Sequence, residues 1–224
     1  MTVRVGLIGA GTMGADHARI LCSEIPGVSL QYVCDADAAR AKRVADSCGA
    51  AYTTTDALAV IADRSVDAVL VASPDQTHAP LSRACVEARK PVLCEKPLSQ
   101  DSKECLDVIA AEVKGGKRLV QVGFMRRFDP AYVEMKAALA KGVVGPALMF
   151  HCFHRNVSAP SNFTGQMAIT NSAPHEFDIA RFMLDTDYAE ISVFRPEFRD
   201  IHGLENRHGS ACEYRDQQQR GLWL

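Results

Sequence analysis

The sequence predicts an α/β protein in which a doubly wound parallel sheet is followed by a partial α+β domain with an incomplete antiparallel sheet. The first observation is that short apolar runs alternate with amphipathic helical segments through the first half of the 224 residues. Apolar runs too short for helices, separated by such segments, indicate buried parallel strands joined by crossover helices. The second observation is a glycine-rich turn directly after the first apolar run. The third is that this alternation ends near Phe124, which predicts a second domain.

Residues 1–122 hold the predicted parallel sheet. Strands are predicted at Val3–Ile8, Leu30–Cys34, Ala68–Ala72, Val92–Cys94 and Leu119–Val122, with helices at Met13–Ser23, Ala38–Cys48, His78–Ala88 and Ser102–Lys114. Ligands of such sheets bind at the carboxyl ends of the strands, so we expect the loops that follow the strands to contact a ligand. Those loops span residues 9–14, 35–37, 73–78, 95–97 and 123–128.

Residues 123–224 are predicted to form the second domain. The pattern indicates a helix at Pro130–Lys141, a strand at Ala147–His154, a helix at Pro174–Leu184 and a strand at Ala189–Phe194. Residues 198–224 lack periodicity and are predicted to be an unpatterned tail. So few strands leave a sheet with unpaired edges, which is why the predicted sheet is incomplete.

Composition excludes several classes of partner. Lys and Arg total 25 and Asp and Glu total 27, a net charge of −2, so no surface for nucleic acid is expected. No apolar run reaches the roughly 20 residues of a membrane helix, and no signal-peptide pattern opens the sequence. A cytoplasmic protein without membrane contact is therefore expected. The eight cysteines are scattered without a C-x-x-C pair, which predicts reduced thiols and no metal site.

The glycine-rich turn has the spacing of a dinucleotide-binding fingerprint, G-x-G-x-x-G, between a predicted strand and a predicted helix. In this arrangement Gly9 permits the tight turn, Gly11 lets the backbone approach a pyrophosphate, and Gly14 lets the helix lie close to the strand. The backbone N–H groups of Thr12 and Met13, at the start of the helix, are placed to bind the phosphates. The fingerprint predicts a Rossmann domain.

An acidic residue closes the second predicted strand. Asp35 is placed to accept hydrogen bonds from the ribose hydroxyls of the adenosine, and the adjacent Ala36 offers no cation for a 2′-phosphate. NAD is therefore predicted in preference to NADP. Ser73, His78, Glu95 and Lys96 lie in the loops that follow later strands and are also expected to contact the cofactor.

Two residues are candidates for proton transfer. Lys96 follows the strand Val92–Cys94, where its ammonium can reach a substrate hydroxyl, although a solvated surface lysine is the alternative. His175 follows a proline that suits the first turn of a helix, and Asp178 shares its helix face. Two interpretations of His175 remain: a general base, and a structural histidine at the start of a helix. A zinc site of the H-E-x-x-H type is excluded because residue 179 is isoleucine.

Further polar residues complete the candidate site. Arg126 and Arg127 follow a predicted strand, and His151 and His154 alternate along the next one. Such residues either face solvent or line a cleft that recognises hydroxyl groups.

Taken together, these motifs resemble the glucose-fructose oxidoreductase and inositol dehydrogenase (Gfo/Idh/MocA) family over roughly residues 3–196. The resemblance rests on the dinucleotide fingerprint, on the stretch Cys94–Leu98, and on three longer stretches, Val122–Asp129, Leu148–Asn156 and His175–Asp178. It is strongest to the members of the family that oxidise inositol.

The resemblance implies the NAD-dependent oxidation of a cyclic polyol hydroxyl, most specifically of myo-inositol to 2-keto-myo-inositol (scyllo-inosose), by hydride transfer to nicotinamide. It implies that Lys96 is the active-site lysine and His175 the catalytic base. The residues that it implies for the polyol pocket are Arg126, His154, Asn156 and Asp178. No metal is required for this chemistry.

The chain departs from the family pattern in two ways. Members commonly carry aspartate four residues before the histidine, where this chain has Asn171, whose amide can orient an imidazole but carries no charge to stabilise an imidazolium. Members are also about half as long again, so the chain is expected to be truncated, and the homo-oligomer typical of the family is expected to be compromised. Two alternatives remain: a chain of this family that binds NAD with little or no turnover, and an enzyme using another adenosine cofactor, such as a methyltransferase.

Overall fold

In the computed structural model the chain divides into two compact units, Met1–Gly123 and Phe124–Leu224. The structure describes residues 2–154, 167–194, 211–216 and 221–223. Within this part of the chain, no helix has the length and the apolar character needed to cross a bilayer.

The first unit is built on a parallel sheet of six strands in the order β3-β2-β1-β4-β5-β6. The strands are β1 (Val3–Ile8), β2 (Val28–Cys34), β3 (Tyr52–Thr54), β4 (Ala68–Val71), β5 (Val92–Cys94) and β6 (Val120–Val122). Every neighbouring pair is parallel. The strand order reverses between β1 and β4, the place where ligands bind in sheets of this kind.

Five α-helices connect these strands: α1 (Thr12–Ser23), α2 (Ala38–Cys48), α3 (Ala57–Ala62), α4 (His78–Glu87) and α5 (Ser102–Gly115). Three of them begin at an aspartate whose side chain accepts hydrogen bonds from backbone N–H groups of the first turn, namely Asp37, Asp56 and Asp101. Gly49 and Gly116 adopt left-handed conformations where α2 and α5 end.

The sheet of the first unit is covered on both faces. One cluster of buried residues packs α1 and α2 against the sheet and includes Leu7, Ala18 and Val33. The other packs α3 and α4 against the opposite face and includes Val60 and Val71. The predicted doubly wound α/β fold is therefore confirmed.

Two elements of the first unit were not predicted, β3 and α3. The strand β3 consists of Tyr52, Thr53 and Thr54, and it is an edge strand that pairs only with β2. Because an edge strand of three residues buries little, its sequence carries no apolar run. The helix α3 has only six residues, too few for a helical period to emerge from the sequence.

The second unit is α+β. It contains a 3₁₀ turn (Met125–Phe128), the helices α6 (Pro130–Ala140) and α7 (Pro174–Leu184), a π-helical segment (Ala168–Ser172), and the strands β7 (Met149–His151), β8 (Tyr188–Phe194), β9 (Ala211–Asp216) and β10 (Gly221–Trp223). Its sheet has the order β7-β10-β9-β8. The sheet is mixed, because β10 is antiparallel to β9 but parallel to β7.

The structure corrects two predictions for this unit. The strand predicted at Ala147–His154 is confined to Met149–His151. The tail predicted at 198–224 contains strands at Ala211–Asp216 and Gly221–Trp223. Their pairing is non-local, since Val193 of β8 aligns with Cys212 of β9, and such pairing leaves no local period in the sequence.

Candidate functional site

The glycine-rich turn between β1 and α1 has the geometry of a phosphate-binding loop. Gly9 has a φ of +96°, and a Cβ there would overlap the carbonyl group of Ala72. A Cβ on Gly14 would overlap the carbonyl oxygen of Gly9, so the helix can approach the turn only without a side chain. Around Gly11, by contrast, no atom of the described chain lies within 4 Å of an added Cβ, which leaves room for a ligand.

The start of α1 is also suited to an anion. Its N-cap residue is Gly11, and no side chain of the described residues caps the helix, whereas aspartates cap α2, α3 and α5. The N–H groups of the first turn, including those of Thr12 and Met13, therefore lack a side-chain acceptor there. Free N–H groups and the helix dipole favour a bound phosphate. The residues present thus fit a dinucleotide pyrophosphate.

Asp35 lies at the carboxyl end of β2 and is held firmly. One carboxylate oxygen accepts the N–H of Ala10 at 2.8 Å and the other accepts that of Asp37 at 2.9 Å. The guanidinium of Arg40, in the first turn of α2, lies 3.3 Å from the carboxylate. Ala36 offers no cation, as predicted, but Arg40 brings one to Asp35 from five residues along the chain, and this residue was missed.

Glu95 follows β5 and contacts α1. Its Oε1 lies 2.7 Å from Nε2 of His17, and its Oε2 accepts the backbone N–H of Lys96 at 3.3 Å. Burial raises the pKa of the Glu95 carboxyl, but the hydrogen bond and charge of His17 and the contacts with Lys96 outweigh burial, so this pKa lies below its ordinary value. Glu95 is thus a charged anchor beside Lys96, which is itself half-buried.

His78 contacts two loops at the carboxyl edge of the sheet. The ring is buried, with Nδ1 lying 2.7 Å from the carbonyl oxygen of Pro97 and Nε2 lying 2.7 Å from that of Ser73. Carbonyl oxygens only accept hydrogen bonds, so the imidazole is the donor in these contacts. His78 thus connects the loop after β4 to the loop after β5, and its contact with the cofactor stays a prediction. The hydroxyl of Ser73 contacts that of Thr77 at 2.6 Å.

In the second unit, a buried carboxylate joins two of the predicted polyol-binding residues. Oε1 of Glu176 accepts a hydrogen bond from Arg126 and lies 3.0 Å from Nδ1 of His154. Only 3% of the Glu176 side chain is exposed. The nearby thiol of Cys152 has its pKa raised to about 11, mainly by burial and further by the charge of Glu176. Sequence analysis missed Glu176, although it is adjacent to His175.

Asp178 forms an ion pair within the second unit. Both of its carboxylate oxygens accept hydrogen bonds from the guanidinium of Arg127, each at 2.7 Å. Arg127 also stacks over the ring of Phe182, with 5.4 Å between the guanidinium carbon and the ring centroid. The bidentate pair fixes α7 to the 3₁₀ turn, and the binding of polyol by Asp178 stays a prediction.

His175 and Asn171 lie on two consecutive helical segments. His175 is in the first turn of α7, directly after Pro174. Asn171 belongs to the π-helical segment, a form that often occurs at functional sites, and its Oδ1 accepts a hydrogen bond from the hydroxyl of Thr170 at 2.6 Å. Asn156 lies outside the described residues.

Two family models match the chain. The oxidoreductase family model described as an NAD-binding Rossmann fold matches residues 3–124. The chain belongs to the Gfo/Idh/MocA family. A second model, for the C-terminal domain of Gfo/Idh/MocA proteins, matches residues 132–217. The family resemblance and the NAD-binding fold that were predicted from the sequence are confirmed.

Relatives in this family include enzymes that act on inositol. The chain is 50% identical over 196 residues to inositol 2-dehydrogenase 1 of Saccharopolyspora erythraea, covering 87% of this chain and 58% of that protein. It is 44% identical over 194 residues to inositol 2-dehydrogenase of Mycolicibacterium smegmatis, covering 87% of this chain and 56% of that protein. The chain thus matches little more than half the length of these relatives.

A similar solved structure is myo-inositol dehydrogenase from Lactobacillus casei in complex with NAD(H) and myo-inositol. The TM-score is 0.92 at 28% identity, and the match covers all of this chain and 66% of that one. The strands β9 and β10 fall within the matched region, although sequence analysis assigned them to an unpatterned tail.

Proposed function

We propose that the chain catalyses the NAD-dependent oxidation of a cyclic polyol hydroxyl, with myo-inositol as the substrate and 2-keto-myo-inositol (scyllo-inosose) as the product. The observation that carries this proposal is the phosphate-binding turn of the first unit together with Lys96. Lys96 lies in the loop after β5, at the same carboxyl edge of the sheet, and its backbone N–H bonds to Glu95. The 50% identity to an inositol 2-dehydrogenase supports inositol as the polyol.

In this proposal residues 1–122 form the NAD-binding domain. Gly9, Gly11, Thr12, Met13 and Gly14 hold the pyrophosphate through backbone contacts, since Gly11 leaves open space and the first turn of α1 has uncapped N–H groups. Asp35 binds the adenosine ribose. The backbone of the loops at Ser73 and Glu95 borders the rest of the cofactor. NAD supplies the acceptor for the hydride that leaves the carbinol carbon.

Two side chains act in the removal of the hydroxyl proton. His175 accepts the hydroxyl proton, because a neutral imidazole nitrogen is a suitable base near neutral pH. Lys96 donates a hydrogen bond from its ammonium to a substrate hydroxyl, which stabilises negative charge that develops as a hydroxyl proton leaves. Asn171, one helical turn before His175, orients the imidazole without adding charge.

Residues 123–224 form the domain for substrate binding and oligomerisation in this proposal. Arg126 and His154 donate hydrogen bonds to polyol hydroxyls, together with Asn156. Glu176 supports this role, because it fixes Arg126 and His154 relative to one another from within the second unit. Arg127 and Asp178 support the helix that carries His175.

We also propose that this domain mediates association with a second copy. Five apolar side chains on or beside its sheet are about half exposed or more, namely Met149, Phe153, Ile191, Val193 and Phe194. Exposed apolar residues in such numbers are typical of surfaces that contact another protein. Sedimentation velocity over a range of protein concentrations tests this proposal, and a monomer at every concentration would contradict it.

A second candidate function is NAD binding with little or no turnover. It is favoured by the phosphate-binding turn, which lies wholly within the first unit and needs no residue of the second. Incubation with NAD and myo-inositol, followed by the absorbance of the reduced cofactor, separates the two candidates. Steady reduction of NAD supports the dehydrogenase. Calorimetric binding of NAD without reduction supports the second candidate, and absence of binding contradicts both.

A further inference from the structure

We propose that His17 and His78 are positioning residues that hold the segment Glu95–Pro97 from its two sides and thereby fix Lys96. This inference rests on the proposed function, because that function gives Lys96 its role. The segment follows β5 at the carboxyl edge of the first unit's sheet. All of the contacts that carry the inference lie within this unit.

The amino-terminal side of the segment is held through the Glu95 carboxylate. Nε2 of His17, on α1, lies 2.7 Å from Oε1 of Glu95, and the backbone N–H of Lys96 bonds to Oε2. Behind the carboxylate is Gly123, where an added Cβ would lie only 3.2 Å from the carboxylate atoms. Glu95 is therefore enclosed between α1 and the end of β6.

This contact links the phosphate-binding helix to Lys96. His17 lies three residues after Gly14 on α1, the helix whose first turn is uncapped. The side chains of His17 and Glu95 are only 23% and 18% exposed. Loss of the imidazole would leave a largely buried carboxylate with one fewer partner, and such a group is driven to move toward water.

The carboxyl-terminal side of the segment is held through the Pro97 carbonyl. His78 is only 1% exposed, and its ring bridges the carbonyl oxygens of Pro97 and Ser73 with 2.7 Å at each nitrogen. The imidazole thus ties the loop after β5 to the loop after β4. An apolar ring of similar volume would fill the space but would donate to neither carbonyl oxygen.

Lys96 therefore lies between two anchored residues. Its backbone position is set on one side by α1 and on the other by the loop after β4, so its side chain starts from a fixed point. A displacement of about 1 Å of a catalytic group can cost on the order of 10² in rate. The two histidines are expected to act on turnover through this positional effect.

The test compares His17→Leu and His78→Phe with two matched controls. Asp16→Asn changes an exposed ion pair on the same helix as His17, and Val86→Ala removes buried volume from the same helix as His78. Turnover of myo-inositol, the Kd of NAD and hydrogen exchange at the Lys96 amide are measured for each. We expect turnover to fall by about 10- to 100-fold in the two histidine variants while the Kd of NAD changes by less than about threefold.

Hydrogen exchange gives a readout that does not depend on catalysis. The Lys96 amide donates to Glu95, so its exchange should accelerate by about tenfold in His17→Leu and remain parental in Asp16→Asn. His17→Gln, which keeps an N–H donor, should restore most of the protection. In a Glu95→Gln background the effect of His17→Leu should shrink, since the two residues act through one contact.

The outcomes separate the inference from the function on which it rests. If the parental chain reduces no NAD with myo-inositol, the proposed function fails, and exchange at Lys96 still decides whether the histidines position the segment. If His78→Phe does not fold, His78→Gln retains one donor and replaces it. Parental turnover together with parental exchange at Lys96 in folded His17→Leu and His78 variants would overturn the inference.

Discussion

At the scale of single residues, the proposed reaction depends on Lys96 and His175. Lys96→Ala and His175→Ala should each lower turnover by about 10² to 10⁴, the usual contribution of a general acid or base. The Kd of NAD should change little, because the proposed pyrophosphate contacts come from the backbone of residues 9–14. Steady-state kinetics and calorimetry check both parts. Near-parental turnover in His175→Ala would remove that residue as the base.

The choice between NAD and NADP depends on Asp35 and its neighbour Arg40. A fixed carboxylate repels a 2′-phosphate, so we expect NAD to bind more tightly than NADP. Arg40→Ala removes the cation 3.3 Å from this carboxylate. It should weaken the binding of NADP further while changing the Kd of NAD by less than about threefold. Asp35→Asn should weaken the binding of NAD and reduce the preference for NAD over NADP. Calorimetric titration with both cofactors is decisive, and equal or tighter binding of NADP to the parental chain would contradict the assignment.

Asn171 offers a test of how much charge the imidazole requires. Its Oδ1 already accepts a hydrogen bond from Thr170, so a carboxylate can replace the amide without losing that contact. If the imidazolium forms during turnover, Asn171→Asp should stabilise it and raise turnover by roughly tenfold, or about 1.4 kcal/mol. Asn171→Ala serves as the comparison and should lower turnover. A fall in Asn171→Asp would show that the site is adapted to the amide.

Sequence analysis located the motifs of the site but not the pairing of their side chains. The stretch His175–Asp178 was identified, yet Asp178 is held by Arg127, and Glu176 contacts Arg126 and His154. Which of two nearby acids is buried against which arginine depends on the packing of α7 on the 3₁₀ turn. That packing cannot be predicted from the local spacing of residues. The contact between His17 and Glu95 was not predicted for the same reason.

At the scale of elements, α1 and its turn allow a sharp comparison of two glycines. Gly14→Ala places a Cβ against the carbonyl of Gly9, so α1 must move, and the free energy of unfolding should fall by about 1–3 kcal/mol. Gly11→Ala meets open space at an ordinary backbone conformation, with φ −70°, and should leave stability unchanged. Both variants should lose NAD affinity. Urea unfolding and calorimetry test the pair, and equal loss of stability would contradict the assigned roles.

Elements with a strong local pattern were predicted almost to the residue. The bounds of β1, α2, β5 and α7 agree with the prediction, because apolar periodicity and features such as Asp37 and Pro174 mark them. Elements stabilised chiefly by pairing with distant strands were missed, as β3, β9 and β10 show. Backbone hydrogen bonds to a neighbouring strand can hold such a strand without an apolar pattern in its sequence.

At the scale of the whole chain, the two units differ in their cores. The first unit has two clusters with ten buried residues each. In the described part of the second unit, the cluster consists of Ala180 and Leu184 with three partly buried neighbours. Buried apolar area is the main source of stability, so the second unit should open at lower free energy than the first.

Hydrogen exchange across the chain tests this difference and the sheet of the second unit together. Amides of β1 and β4 should exchange more slowly than those of α7 and β8, because their core is larger. Within the second sheet, Glu213, Tyr214 and Arg215 of β9 pair with β8 on one side and β10 on the other, so these consecutive amides should be protected. Along β8, which has one strand partner among the described residues, protection should alternate from one residue to the next. Free exchange throughout 211–216 would contradict the pairing of β9, and uniform protection of both units would contradict the unequal cores.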